Sequence, residues 1–173
     1  MANEYLTRTP TSTGNRRVWT WSGWIKRNKT TGDTFFGVTA GTDYVSLFFN
    51  GAGYVQANMG QGSTQKIIGY TNSLFRDCSS WYHIVYSVDS TQSSQSSGLK
   101  IYVNGIQQNL SFVAYSEVNY NTALNTLYSH IIGTSLPGEM CDVFLVDGQA
   151  LTPDVFGFYK QGKGYISAGS TQA

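Results

Sequence analysis

Trp81-Tyr82-His83-Ile84-Val85-Tyr86-Ser87-Val88-Asp89, then Leu99-Lys100-Ile101-Tyr102-Val103-Asn104-Gly105-Ile106, is the stretch whose reading decides the fold. Side chains on a strand alternate between its two faces, and the first run is apolar on both, which marks a central strand packed on either side. The second run ends in Asn-Gly followed by another apolar residue. A two-residue hairpin turn needs positive φ at both central positions, and Asn-Gly supplies that most readily. A buried strand joined to a tight hairpin is a sheet signal. The Ser- and Gln-rich residues between them, 90–98, read as a flexible loop.

Working outward, the same period recurs. In 16–27, Trp19, Trp21, Gly23 and Ile25 share one face, and Thr20, Ser22, Trp24 and Lys26 the other. Residues 34–39, 43–50, 53–58 and 64–70 are short runs rich in β-favouring side chains, punctuated by glycines. Residues 127–133 and 139–146 read as two more strands. One short C-terminal helix is predicted at Thr152-Pro153-Asp154, which offers an N-cap hydroxyl, proline at the first helical position and an early acid. Val155, Phe156 and Tyr159 form its apolar stripe, and Gly162 and Gly164 stop it. The expectation is an all-β chain, an antiparallel two-sheet β-sandwich over residues 1–160, with residues 161–173 as a C-terminal tail.

Composition narrows the function. The chain has 173 residues, 11 Lys+Arg against 10 Asp+Glu, a net charge of +1 and 12% charged residues. The basic residues are scattered, which argues against a nucleic-acid face. Ser, Thr, Asn and Gln make up 58 of the residues, and 14% are aromatic. That is too apolar for a disordered chain and too weakly charged for a coiled coil. No apolar run approaches membrane-spanning length, and the start, Met1 to Tyr5, lacks the pattern of a signal peptide. Cys78 and Cys141 read either as two buried thiols or as one bridge. His83, between apolar neighbours, reads as a satisfied sheet histidine. Neither it nor His130 stands in a zinc spacing or beside a nucleophile elbow.

Three stretches in order carry a resemblance: Trp19-Thr20-Trp21-Ser22-Gly23-Trp24-Ile25-Lys26, then Trp81 to Tyr86 with Leu99 to Gly105, then Asp142 through Asp147-Gly148-Gln149-Ala150-Leu151-Thr152-Pro153. Together they resemble the laminin G-like and pentraxin-like jelly rolls of the concanavalin A-like lectin/glucanase superfamily, most closely those encoded by tailed bacteriophages. The resemblance covers residues 4–160. It implies a two-sheet jelly roll and a non-enzymatic structural or binding role on a virion, as capsid decoration, head fibre or tail fibre.

A glucanase of this superfamily would need carboxylates converging on one strand face. Glu139 and Asp142 are three apart and point to opposite faces, so hydrolysis of polysaccharide is the weakest reading and no catalytic residue is assigned. Relatives often hold calcium at a rim. The acids here are dispersed, which leaves Asp89 and Asp142 as weak candidates and no cofactor expected. Asp89 and Asp147 have an alternative use in capping turns. Asp142, sharing a face with Phe144 and Val146, is expected to be partly buried and paired with His83 or a backbone N–H. Trp19, Trp21 and Trp81 are expected in the core. The candidate sugar-binding residues are Trp24, which otherwise reads as structural, and Tyr115, Asn119, Tyr120 and Asn121 of a Tyr- and Asn-rich loop, which suits protein contact equally.

The expected partners are other virion proteins and host surface glycans, with no nucleic acid and no membrane insertion. The virion is the expected location, after assembly in the host cytoplasm. The few charges leave sheet edges to be protected by pairing, which predicts a homo-oligomer or a lattice-bound subunit.

Overall fold

The computed structural model describes residues 4–171. In chain order the strands are β1 (Leu6–Arg8), β2 (Val18–Arg27), β3 (Asp33–Ala40), β4 (Asp43–Phe49), β5 (Val55–Gln61), β6 (Thr64–Thr71) and β7 (Trp81–Asp89). After a single helical turn, α1 (Gln95–Gly98), come β8 (Leu99–Val103), β9 (Ile106–Gln107), β10 (Leu110–Tyr115), β11 (His130–Ile132), β12 (Gly138–Asp147), β13 (Gly157–Lys160) and β14 (Gly164–Ser167). Two antiparallel sheets pack face to face. The large one is ordered β1-β11-β3-β4-β5-β6-β10 and the small one β12-β2-β7-β8-β9, while β13 and β14 form a separate hairpin.

Alternation builds the core between the sheets. Trp19, Trp21 and Ile25 of β2 and Ile84, Tyr86 and Val88 of β7 face Phe35, Leu47, Ala57 and Ile67 of the large sheet, all buried. Trp21 sits at the centre, its ring 5.2 Å from that of Phe35 and 6.0 Å from that of Tyr86. Arg27, at the end of β2, is fully buried. It donates from Nε and Nη2 to Asp33 Oδ2, at 3.0 and 2.9 Å, and from Nη1 to the Phe75 carbonyl. Removing one partner of such a pair costs about 3–5 kcal/mol, because the other charge is left buried and alone.

Several elements depart from expectation. The Asn104-Gly105 turn forms as read, with φ of 50° and 79° and Val103 opposite Ile106. The helix expected after Thr152 is a single 3-10 turn, Pro153–Val155, because the chain turns at once into β13, which carries Tyr159. The segment expected as a tail from 161 instead supplies β14, paired with β13 through Phe158–Ile166 and Tyr159–Tyr165. Of that segment, residues 172–173 lie outside the described part. The only α-helical turn among the described residues lies in the loop 90–98, which was expected to be flexible. Trp81 is half-buried rather than in the core, and both cysteines are free, Cys78 half-buried and Cys141 exposed on the edge strand β12.

Candidate functional site

The outer face of the small sheet is covered. Phe156 packs on Val85 and Tyr102 with Val146 and Leu151 beside it. Tyr165 of β14 stacks on His83 at 5.2 Å and lies 6.1 Å from Trp24, and its hydroxyl donates to the Pro153 carbonyl. Beneath it His83 meets Ser22 Oγ through Nε2 at 2.9 Å, while its Nδ1 has no partner among the described residues. Burial pulls the His83 pKa down to about 4, against the opposing charge of Asp142.

The outer face of the large sheet is crossed by three rows of side chains, most of them half-buried, with Ile68 of the second row buried. In register, Thr34, Phe48, Gln56, Tyr70 and Ser111 form the first row, and Gly37, Ser46, Asn58, Ile68 and Ala114 the second. Thr39, Tyr44 and Gly60 form the third. Phe48, Tyr44, Tyr54 and Tyr70 are all half-buried. Tyr54 and Tyr70 rings lie 5.4 Å apart. Tyr44 lies across Gly60, where a Cβ would come within 2.6 Å of its hydroxyl, so only glycine leaves room for the ring to lie there.

Amides between these rings are held in fixed orientation. Asn50 Oδ1 accepts the N–H groups of Ala52, Gly53 and Tyr54, at 3.0–3.1 Å, which fixes its side chain in a turn. Its Nδ2 donates to Gln56 Oε1 at 3.0 Å, and Gln56 Nε2 donates to Asn58 Oδ1 at 2.8 Å. Every link in that chain runs one way, which leaves Asn58 Nδ2 a donor of settled orientation. Such preorganisation lowers the ordering cost of binding. The rows contain no carboxylate, whereas glycoside hydrolysis uses a pair of them.

The residues singled out from sequence do not converge. Trp24 lies on the covered face of the small sheet, beside His83 at 5.0 Å. Tyr115 is half-buried at the end of β10, its hydroxyl donating to the Gln92 carbonyl. Tyr120 is 5% exposed and belongs to the core, where burial pushes its pKa up to about 12. Asn119 is exposed at a left-handed turn with φ 63°, and Asn121, also exposed, accepts from Arg17 Nε. Three of these five, Asn119, Tyr120 and Asn121, lie on a loop that folds inward at Tyr120, whose ring joins the core with Ala123 and Leu124.

The acids fare similarly. Asp89 caps its own turn, accepting from Thr91 N, Thr91 Oγ1 and Gln92 Nε2. Asp142 occupies a bulge in β12 with φ 49°. The bulge turns its carboxylate outward, exposed, to accept from Ser167 Oγ rather than from His83 or a backbone N–H. Asp147 bridges distant segments instead of capping a turn, accepting from Asn15 N and Asn125 Nδ2. Among the described residues no three His, Cys, Asp or Glu side chains come together, and the donor set does not fit calcium, which needs six to eight oxygens.

The residues that sequence reading missed, Tyr44, Phe48, Gln56, Asn58 and Tyr70, lie on strands it had located. The signal was the strict alternation in Val55-Gln56-Ala57-Asn58-Met59, with an aromatic on the outward parity of the neighbouring strand. Register between the strands, which a sequence does not carry, is what aligns them.

Comparison with known proteins agrees with this architecture. No curated protein of similar sequence is found. Among solved structures, a heptameric pentraxin from Limulus polyphemus matches with TM-score 0.59 at 15% identity, over 86% of this chain and 71% of that one. Domains LG4-5 of the mouse laminin α1 chain match with TM-score 0.63 at 15% identity, over 88% of this chain and 41% of that one. A carbohydrate-binding module of a Ruminococcus gnavus sialidase, bound to α2,3-sialyllactose, matches with TM-score 0.57 at 12% identity, over 87% and 95%. This chain thus spans less than half of the laminin piece and nearly all of the sialidase module. The family model described as the concanavalin A-like lectin/glucanases superfamily (Laminin_G_3) matches residues 2–155, and the chain belongs to that family.

Proposed function

We propose that this chain is a non-catalytic binding module that holds neutral glycans on the bare outer face of its large sheet. The observation that carries the reading is the combination of Phe48, Tyr44 and Tyr70 with the oriented Asn50–Gln56–Asn58 amides on a face without charge across its rows. Aromatic rings offer apolar area to the C–H side of a sugar at low entropy cost, and fixed amides meet its hydroxyls. The sialidase module, bound to a sugar, has a similar fold and thus supports a carbohydrate ligand.

A glycan array followed by calorimetry on the best hit tests this reading. Wild type binds a neutral oligosaccharide, and Tyr70→Ala and Phe48→Ala each weaken binding by about tenfold or more, as truncation of a central aromatic does. Absence of binding to any neutral sugar at millimolar concentration would overturn it.

The setting we propose is a virion surface, as capsid decoration or fibre. Its support is the phage-like order of the three sequence motifs, together with a weakly charged surface whose contacts are insensitive to salt. Mass spectrometry of purified particles from the source tests it, and particles that lack the chain would exclude it.

A further inference from the structure

The chain contains two Asn-Gly pairs, Asn50-Gly51 and Asn104-Gly105. Glycine puts no side chain beside its own nitrogen, so that nitrogen is free to react with the preceding asparagine. The fold treats the two pairs differently. Asn50 follows β4, and its Oδ1 accepts the N–H groups of Ala52, Gly53 and Tyr54 at 3.0, 3.1 and 3.1 Å. Backbone N–H groups only donate, which settles which end of the Asn50 amide is oxygen. These bonds fold the side chain over the backbone that follows it. Gly51 is exposed, its N–H has no acceptor among the described residues, and a Cβ there would meet nothing within 4 Å. At the other pair, Asn104 Oδ1 accepts a single N–H, that of His83, and Gly105 is crowded by the Tyr165 ring.

We propose that Asn50 is a self-modification site, where the fold promotes deamidation of the side chain. Hydroxide from solvent removes the Gly51 amide proton, and the nitrogen attacks Asn50 Cγ. As that N–C bond forms, the carbonyl electron pair moves onto Oδ1, where three N–H groups already sit. Hydrogen bonds to an ionised acceptor are about twice as strong as neutral ones, so the same donors hold the oxyanion more tightly than the starting amide. The Cγ–Nδ2 bond then breaks. Nδ2 leaves as ammonia with a proton from water, and a succinimide ring remains. Water opens that ring at Cγ to aspartate, or at the backbone carbonyl to isoaspartate.

The aspartate product reverses the chain of amides. In the unmodified protein Asn50 Nδ2 donates to Gln56 Oε1 at 3.0 Å, and Gln56 Nε2 donates to Asn58 Oδ1 at 2.8 Å. With aspartate at position 50, a carboxylate oxygen replaces Nδ2 and faces Gln56 Oε1. The Gln56 amide turns over so that its Nε2 donates to that oxygen. Its Oε1 then meets Asn58, which turns over in the same way and donates from Nδ2. The free end of the chain changes from a donor to an acceptor, and rows without a carboxylate gain a negative charge beside them. An altered choice of glycan would rest on the binding role proposed above, whereas the modification itself does not.

Peptide mapping by mass spectrometry, on the full chain held in mildly alkaline buffer, follows both Asn-Gly pairs at once. The Asn50 peptide is expected to gain one mass unit about tenfold or more faster than the Asn104 peptide, as the extra oxyanion donors require. It is also expected to react faster in the folded chain than in the same buffer with urea. Gly51→Ala keeps the N–H and fits the open space, so it leaves the fold intact and slows the reaction severalfold by hindering the nitrogen. Asn50 reacting no faster folded than unfolded, or no faster than Asn104, overturns the proposal, because sequence alone would then account for it. Asn50→Asp made directly tests the reversal. The side-chain amide NMR signals of Gln56 and Asn58 are expected to shift, and unmoved signals would exclude it. A wild type that binds no neutral sugar yet gains the mass unit at Asn50 sinks the glycan reading alone. A wild type that binds sugar but stays unmodified sinks the self-modification alone.

Discussion

The outer faces of the two sheets begin from similar side chains and end differently. On the small sheet Trp24, His83, Val85 and Tyr102 lie under Phe156 and Tyr165. On the large sheet Phe48, Gln56, Asn58 and Tyr70 stay half-buried. The difference is visible strand by strand. β7 is buried from Tyr82 to Val88 on both parities, whereas β4 and β5 alternate between buried and half-buried. A sheet buried on both sides accepts apolar residues at every position. A sheet open on one side keeps aromatics there only singly, spaced by amides and hydroxyls. Covered aromatics contribute to folding, and uncovered ones remain available for a ligand.

The strongest way to break that contrast is to remove the cover. Phe156→Ala deletes the buried ring that joins Val85, Tyr102, Val146 and Leu151, and is expected to cost about 3–5 kcal/mol in urea unfolding. A loss below about 1 kcal/mol would mean that the C-terminal segment only rests on the sheet.

Acid reaches the same face by another route. The folded His83 pKa of about 4 lies below its ordinary 6.5, so the folded protein disfavours the charged ring. The stabilising effect is fully present above the unfolded value and is lost as pH falls from about 6.5 to about 4, because the unfolded chain binds the proton first. The total is on the order of 3 kcal/mol. Stability curves across that window are expected to flatten markedly in His83→Gln, with the remaining slope from His130, whose pKa burial also lowers. An unchanged slope would assign the acid sensitivity elsewhere.

A smaller effect sharpens the picture. Tyr165→Ala uncovers Trp24 and His83 while leaving Phe156 in place, and is expected to cost about 1–2 kcal/mol and to shift tryptophan emission to longer wavelength. The smallest effect on stability belongs to the bare face. Tyr70→Ala there is expected to change unfolding by no more than about 1 kcal/mol, since its ring packs on one side only, yet to remove most glycan binding. If Tyr70→Ala destabilised as much as Phe156→Ala, the two faces would not differ in the way described.

Much of the fold was legible in the sequence for identifiable reasons. β2, β7 and the Asn104-Gly105 turn follow from period two and from positive φ, both local properties. The hairpin of β13 and β14 was hidden because Thr152-Pro153-Asp154 is a genuine helix-start signal. That signal yields only one turn before the tertiary pull of the small sheet on Phe156 and Tyr165 takes over. The candidate site was less legible. Tyr120 and Asn119 looked alike as loop residues, and only packing against Ala123 and Leu124 separates the buried ring from the exposed amide. Trp24 was placed on the right face, but whether that face is open depends on Phe156 and Tyr165, far along the chain. The Phe48–Gln56–Tyr70 row needed the register of three strands before it became a site at all.

The Asn104-Gly105 turn also sets an order of events. Its Oδ1 accepts the His83 N–H, its carbonyl accepts the Tyr159 hydroxyl, and a Cβ at Gly105 would strike the Tyr165 ring at 2.5 Å. The β13–β14 hairpin therefore docks against a tip that must already be shaped, and it follows every strand it covers in chain order. During synthesis the small sheet emerges with Trp24, His83 and Tyr102 open to water until the hairpin leaves the ribosome. Until the hairpin docks, those side chains are exposed surface of the kind that makes folding intermediates prone to aggregate.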